Sequence, residues 1–229
     1  MLESVLPIAQ ARQLPLFLVG HSMGGGETLY WLATSNETIR RQIRGFVALA
    51  PYIALNPASQ PSRALVAAGK LALRLLPRFQ MEQKLNPDNL CRDPELAKSW
   101  ELDELCHNIG TLEGMGGMID RGEELEQGKV TVKEGSSLYI AHGSDDRITN
   151  HDSSVKFFDR LQIEDKTIKS YEGWYHVCEF DPPFHILGPY ECVVHCEPGD
   201  DKITFANDVS KWILARASSP VSSTTQSRL

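Results

Sequence analysis

The chain has 229 residues, 41% of them hydrophobic and 23% charged, with a formal net charge of -7. That is globular composition with enough apolar residues for one sizeable core. The acidic balance, with no basic stripe, argues against a nucleic-acid partner. No apolar stretch approaches the roughly 20 residues that span a bilayer. Five cysteines, an odd and irregularly spaced set, point to reduced thiols and a cytoplasmic protein rather than a disulfide framework. The opening segment Met1 to Gln10 has neither a basic stretch nor a long apolar core, and is not read as a signal peptide.

In chain order, Leu2, Val5, Leu6 and Ala9 recur at helical spacing and predict a helix over 2–12. Pro15 opens a short apolar strand, Leu16 to Val19, which runs directly into Gly20-His21-Ser22-Met23-Gly24. A strand, a Gly-x-Ser-x-Gly turn and a following helix form a nucleophile elbow. The turn is too sharp for bulky neighbours, so Gly20, Gly24 and Gly25 are expected to leave room for a strained Ser22. The pattern continues as a helix over Thr28 to Ala33, a buried strand over Phe46 to Ala50, and further strands over Ser137 to His142 and Thr167 to Tyr171. Helical patterns at Ser153–Leu161 and Ile203–Ala215 complete the alternation. Strands alternating with helices predict a parallel sheet covered on both faces. Residues 52–130 interrupt it with helical pieces (Ala64–Leu76, Pro94–Trp100) and a glycine-rich stretch, Gly110 to Gly117. They read as a lid rather than a plain connection. The small, polar segment 217–229 reads as a disordered tail.

A serine hydroxyl needs a neighbouring base, and the base needs a carboxylate to fix its tautomer. In an elbow protein of this kind the order along the chain is serine, acid, histidine. The acid is sought just after the third strand, where Asp145 and Asp146 compete. Either could equally be a turn or capping residue, and sequence physics does not separate them. The base is sought after the fourth strand, where His176 lies a few residues past the strand end; His185 and His195 are weaker candidates. The N–H of Met23, the residue after the nucleophile, is one oxyanion donor. Cys178, His185, Cys192, His195 and Cys196 are zinc-binding residue types, but they lack the paired spacing of a zinc site, and no metal is expected.

Three segments together resemble the monoacylglycerol lipase family of α/β-hydrolases, also called serine aminopeptidase-like: Gly20 to Gly25, His142-Gly143-Ser144-Asp145-Asp146-Arg147, and Tyr171-Glu172-Gly173-Trp174-Tyr175-His176. Thr111 to Gly122 resembles the lid of the family's fungal branch, and Pro198 to Trp212 its C-terminal helix. The resemblance implies Ser22 as nucleophile, Met23 as oxyanion donor, Asp146 as acid because it is the last aspartate before the Arg147 position, and His176 as base. It implies hydrolysis of monoacylglycerol or a related lipid ester, without metal or cofactor, with peripheral contact to membranes or lipid droplets as a compatible setting.

The sequence departs from the family pattern twice. Members carry about four strands and a His-Gly oxyanion loop ahead of the elbow, which here lies about twenty residues from Met1. The expectation is therefore a truncated α/β-hydrolase: a partial core over 1–51 and 131–216, with the lid over 52–130. The strand before Ser22 would be left at the edge of the sheet. A chain of that kind that binds lipid or a partner without turnover is the alternative reading. The second departure is 177–194, which has no counterpart in the family and reads like a retained intron.

Overall fold

A computed structural model describes residues 2–104, 108–132, 134–176 and 198–218. Helix α1 (Leu2–Ala11) leads to strand β1 (Phe17–His21), helix α2 (Met23–Thr34), the single turn α3 (Glu37–Arg40) and strand β2 (Gly45–Leu49). The intervening segment holds α4 (Arg63–Leu75), β3 (Gln80–Glu82), α5 (Pro94–Leu102), β4 (Ile109–Thr111) and α6 (Leu112–Glu126). The chain then returns through β5 (Leu138–Gly143), α7 (His151–Arg160), β6 (Lys166–Tyr171) and α8 (Asp201–Ala217).

Among the described residues the main sheet has four strands in the order β1-β2-β5-β6. All pairings in it are parallel, with Leu18 opposite Phe46, Phe46 opposite Leu138 and Leu138 opposite Lys166. Parallel strands need crossover helices, and these cover both faces. Side chains alternate accordingly. Phe46, Ala48, Leu138 and Ile140 point to one face and pack with Leu29 and Leu32 of α2 and Phe157 of α7. Val47, Leu49, Tyr139 and Ala141 point to the other, against Phe205, Val209 and Trp212 of α8. β2 and β5 are buried along their whole length, which is why their sequences read as near-continuous apolar runs. β1 is the edge strand: among the described residues it pairs with β2 alone, and Val19 remains 46% exposed.

The expected elements all form, within a few residues at their ends. Two features of the intervening segment differ from the sequence reading. The glycine-rich stretch is mostly a regular helix, α6, begun by Thr111, whose hydroxyl accepts from Gly114 N–H at 3.1 Å. Glycine weakens a helix on its own. Here its absent side chain permits packing: a Cβ at Gly122 would lie 2.5 Å from the Ile53 carbonyl oxygen, and one at Gly116 2.8 Å from Leu73 of α4. The antiparallel pair β3–β4 was not expected from the sequence, each strand being only three residues long. The segment 177–194, the histidines 185 and 195, and the cysteines at 178, 192 and 196 lie outside the described residues. So does 219–229, most of the expected tail; Ala217 itself ends α8.

Candidate active site

Parallel strands bring their carboxyl ends to one rim, and Ser22, Asp146 and His176 all lie just past such ends, after β1, β5 and β6. Ser22 has φ 54 and ψ -117, a left-handed conformation that costs a non-glycine residue on the order of 1–3 kcal/mol. Its backbone is pinned on three sides. Ser22 N–H donates to the Leu49 carbonyl at 2.9 Å, and its carbonyl accepts from Gly26 N–H at 3.0 Å and Tyr52 N–H at 2.8 Å. Ala50, at the end of neighbouring β2, has φ 41 and is held in the same manner: its N–H donates to the Ala141 carbonyl at 2.7 Å.

The close approaches that require glycine fall at Gly20, Gly25 and Gly26. A Cβ would lie 2.1 Å from the Gly24 carbonyl oxygen at Gly20, 2.9 Å from Pro51 Cα at Gly25, and 2.2 Å from the Tyr52 carbonyl oxygen at Gly26. At Gly24 a Cβ would meet nothing within 4 Å, so the room expected there is not a packing requirement. Met23 is the first residue of α2, half exposed, where helix N–H groups have no intrahelical acceptor and point outward with the positive end of the helix dipole.

The two candidate aspartates have different surroundings. Asp145 is exposed and accepts from its neighbour Ser144. Asp146 is 3% exposed, and both its oxygens are saturated. Oδ1 accepts from the N–H groups of Ile148 at 2.7 Å and Thr149 at 2.9 Å. Oδ2 accepts from His176 Nδ1 at 2.7 Å, the Thr149 hydroxyl at 2.7 Å and His142 Nε2 at 3.1 Å. Burial works against charging this carboxyl, but the hydrogen bonds from His142 and His176 outweigh it and hold its pKa well below the usual carboxylate range. The His176 ring is 2% exposed and sits 4.7 Å, centroid to centroid, from the ring of His21, the residue preceding Ser22. The structure therefore joins Asp146 to His176 directly and places both at the rim that carries Ser22.

Residues with no role in the sequence reading complete the surroundings. His142, fully buried on β5, meets Ser154 of α7 through Nδ1 at 2.9 Å. The Arg147 guanidinium lies over the Tyr175 ring at 3.9 Å, and Arg92 lies over Trp174 while pairing with Asp201 of α8. The strand-end position of His142 could have drawn attention to it; the partners of Arg92 and Arg147 are set by tertiary packing alone.

Burial holds the His142 pKa below the ordinary histidine value, against the pull of Asp146. The sign of its effect on stability follows. Below about pH 6.5 the unfolded chain takes up a proton that folded His142 refuses, so stability falls as pH drops. Asp146, depressed in the folded state, adds a second loss below about pH 4. The unfolding free energy measured with urea is expected to fall between pH 7 and pH 5.5, with a slope of up to about 1.4 kcal/mol per pH unit. A flat profile over that window would contradict a buried neutral His142.

A mostly parallel sheet with a strained serine turn after one strand, an acid and a histidine after later ones, and a helical segment between is the α/β-hydrolase fold. The similarity to solved structures agrees. The chain superposes on a soluble variant of monoglyceride lipase from Saccharomyces cerevisiae with a TM-score of 0.79 at 23% identity, covering 95% of this chain and 67% of that one. Within that class, the sequence pattern of the serine aminopeptidase S33 family matches residues 3–183, and the chain belongs to this family of hydrolases. Among curated relatives, a putative monoglyceride lipase of Schizosaccharomyces pombe is 33% identical over 168 residues, 73% of this chain and 43% of the relative. Monoglyceride lipase of Saccharomyces cerevisiae is 26% identical over 76% of this chain and 57% of its own length. Caffeoylshikimate esterase of Arabidopsis thaliana is 27% identical over 88% of this chain and 55% of its own length. The chain thus spans about half the length of these relatives. The relatives it matches are named as lipases and an esterase.

Proposed function

We propose that the protein hydrolyses monoacylglycerol or a related lipid ester through an acyl-enzyme on Ser22. The observation that carries this reading is the buried 2.7 Å contact of Asp146 Oδ2 with His176 Nδ1 on the rim that holds the strained serine. With Nδ1–H donated to Asp146, Nε2 of His176 is the nitrogen that accepts the Ser22 proton as Oγ attacks the ester carbonyl. The same nitrogen then returns the proton to the departing alcohol. Water repeats the cycle on the acyl-enzyme. Met23 N–H donates to the developing oxyanion, and such a donor is worth roughly 10²–10³ in rate.

The relatives named monoglyceride lipase support the substrate class. Residues 52–130 act as the lid in this reading. Leu65, Leu71 and Leu75 of α4, with Leu76 and Phe79 beyond it, are exposed and would meet a lipid surface. Among the described residues no helix is long and apolar enough to cross a membrane, so the contact proposed is peripheral. Co-flotation with phosphatidylcholine vesicles is the expected result, and protein left wholly in the aqueous fraction would overturn that part.

The activity is tested with a fluorophosphonate probe and peptide mass spectrometry. The expected result is a single adduct on the peptide containing Ser22, slowed by competing monoacylglycerol. Absence of an adduct on protein that melts cooperatively would overturn the reading. It would leave the second one, lipid or partner binding without turnover, for which the exposed edge at Val19 is the favouring observation.

A further inference from the structure

Asp146 is bound by two histidines, and the mechanism above uses only one. His142 is fully buried at the end of β5 and has a partner at each ring nitrogen: Ser154 Oγ at 2.9 Å from Nδ1, and Asp146 Oδ2 at 3.1 Å from Nε2. An ionised carboxylate only accepts, so the proton at that contact belongs to Nε2 of His142. Nδ1 of the neutral ring then accepts from the Ser154 hydroxyl. The pattern closes without a cation. Oδ2 consequently receives three donors, from His142, Thr149 and His176, while Oδ1 is occupied by two backbone N–H groups.

We propose that His142 is a positioning residue: as a neutral Nε2–H donor it shares Asp146 Oδ2 with His176, and by drawing on that oxygen's charge it limits how strongly the acid holds the base. A carboxylate whose lone pairs are divided among more donors stabilises any one imidazolium less. Removing the His142 donor therefore strengthens the hold of Asp146 on protonated His176.

Among the described residues, the groups that face this pair come from β1, α7 and the loops after β5 and β6. His142 meets Asp146 and Thr149 from the loop after β5, Ser154 from α7, His176 from the loop after β6, and the edge of the His151 ring from α7 at 5.5 Å. His176 meets Asp146, Thr149 and the His21 ring. Burial favours the neutral form of His142, in agreement with the hydrogen-bond pattern.

The proposal rests on the triad reading above, and its test is independent of turnover. Nitrogen-15 and carbon-13 NMR of the histidines in the full chain is expected to show His142 as the Nε2–H tautomer, with no titration between pH 8 and pH 6. A Nδ1–H tautomer, or a cationic His142 in that range, overturns the proposal without any variant. In His142→Phe the His176 Nδ1–H proton resonance is expected to move downfield, the mark of a tighter hydrogen bond to Asp146. In His142→Gln, whose amide supplies a neutral donor, it stays near the native position. An unchanged His176 Nδ1–H resonance in folded His142→Phe overturns the proposal, because a purely structural role would leave that hydrogen bond as it is. Failure of the fluorophosphonate probe to label Ser22, with the NMR coupling intact, would instead overturn the hydrolase reading alone.

Discussion

Replacing Asp146 with asparagine is expected to lower kcat about 10⁴-fold, the scale seen when the acid of such a triad loses its charge. The geometry explains why no rotamer rescues the variant. Oδ1 faces the backbone N–H groups of Ile148 and Thr149, and Oδ2 faces His176, His142 and the Thr149 hydroxyl. An amide has one oxygen and one NH₂ group, so either orientation sets donors against donors. The backbone cannot yield, so the NH₂ group falls at the Oδ2 position. His176 can accommodate it only by moving its proton to Nε2. That tautomer cannot take a proton from Ser22. The buried mismatch is also expected to cost about 1–3 kcal/mol of stability. Steady-state ester hydrolysis together with a thermal melt checks both, and a loss of activity below tenfold would show that Asp146 does not orient the base.

Gly143→Ala is expected to reduce kcat/KM about 10²-fold without touching any reacting group. Gly143 ends β5, and a Cβ there would lie 2.2 Å from the Tyr175 carbonyl oxygen and 2.4 Å from that of Trp174. These are backbone atoms in the loop that delivers His176, and relief requires that loop to retreat by about 1 Å, enough for such a loss. The loop is also tied to this strand end by Ser144 N–H to the Tyr171 carbonyl and Asp145 N–H to the Trp174 carbonyl, each at 2.9 Å. The strain therefore spreads along both segments, and a drop in stability of about 1–3 kcal/mol accompanies it. Kinetics and a melt of the same preparation decide the matter. Native activity with native stability would show that the loop is not seated on Gly143.

The sheet was legible because β2 and β5 are buried on both faces, and their apolar runs contain little else. Ser22 was legible because the elbow needs small residues at fixed positions. Gly26 escaped notice because its requirement comes from Tyr52, a neighbour in space that the motif does not contain. The choice between Asp145 and Asp146 was invisible to residue type alone, since adjacent aspartates differ only in which one turns inward. Resemblance singled out Asp146, and the same residue is the one buried against His176. α6 was obscured by glycines that score against a helix locally but are required by Leu73 and Ile53. β3 and β4 are too short to carry a periodic signal.

Helix α2 starts directly after Ser22, and its flank bears the intervening segment: Tyr30 donates to Glu124 at 2.8 Å, and Arg121 of α6 pairs with Glu27 at 3.1 Å. Gly122 brings the same α6 against the Ile53 carbonyl. α4 is fastened to α6 by Leu73 over Gly116 and by Lys70 pairing with Asp120 and Glu123, exposed ion pairs of the kind worth at most about 1 kcal/mol each. In mechanical terms α6 is a splint shared by two neighbours, α2 on one side and α4 on the other, so a shift of α6 would be levered through α2 to the turn at Ser22.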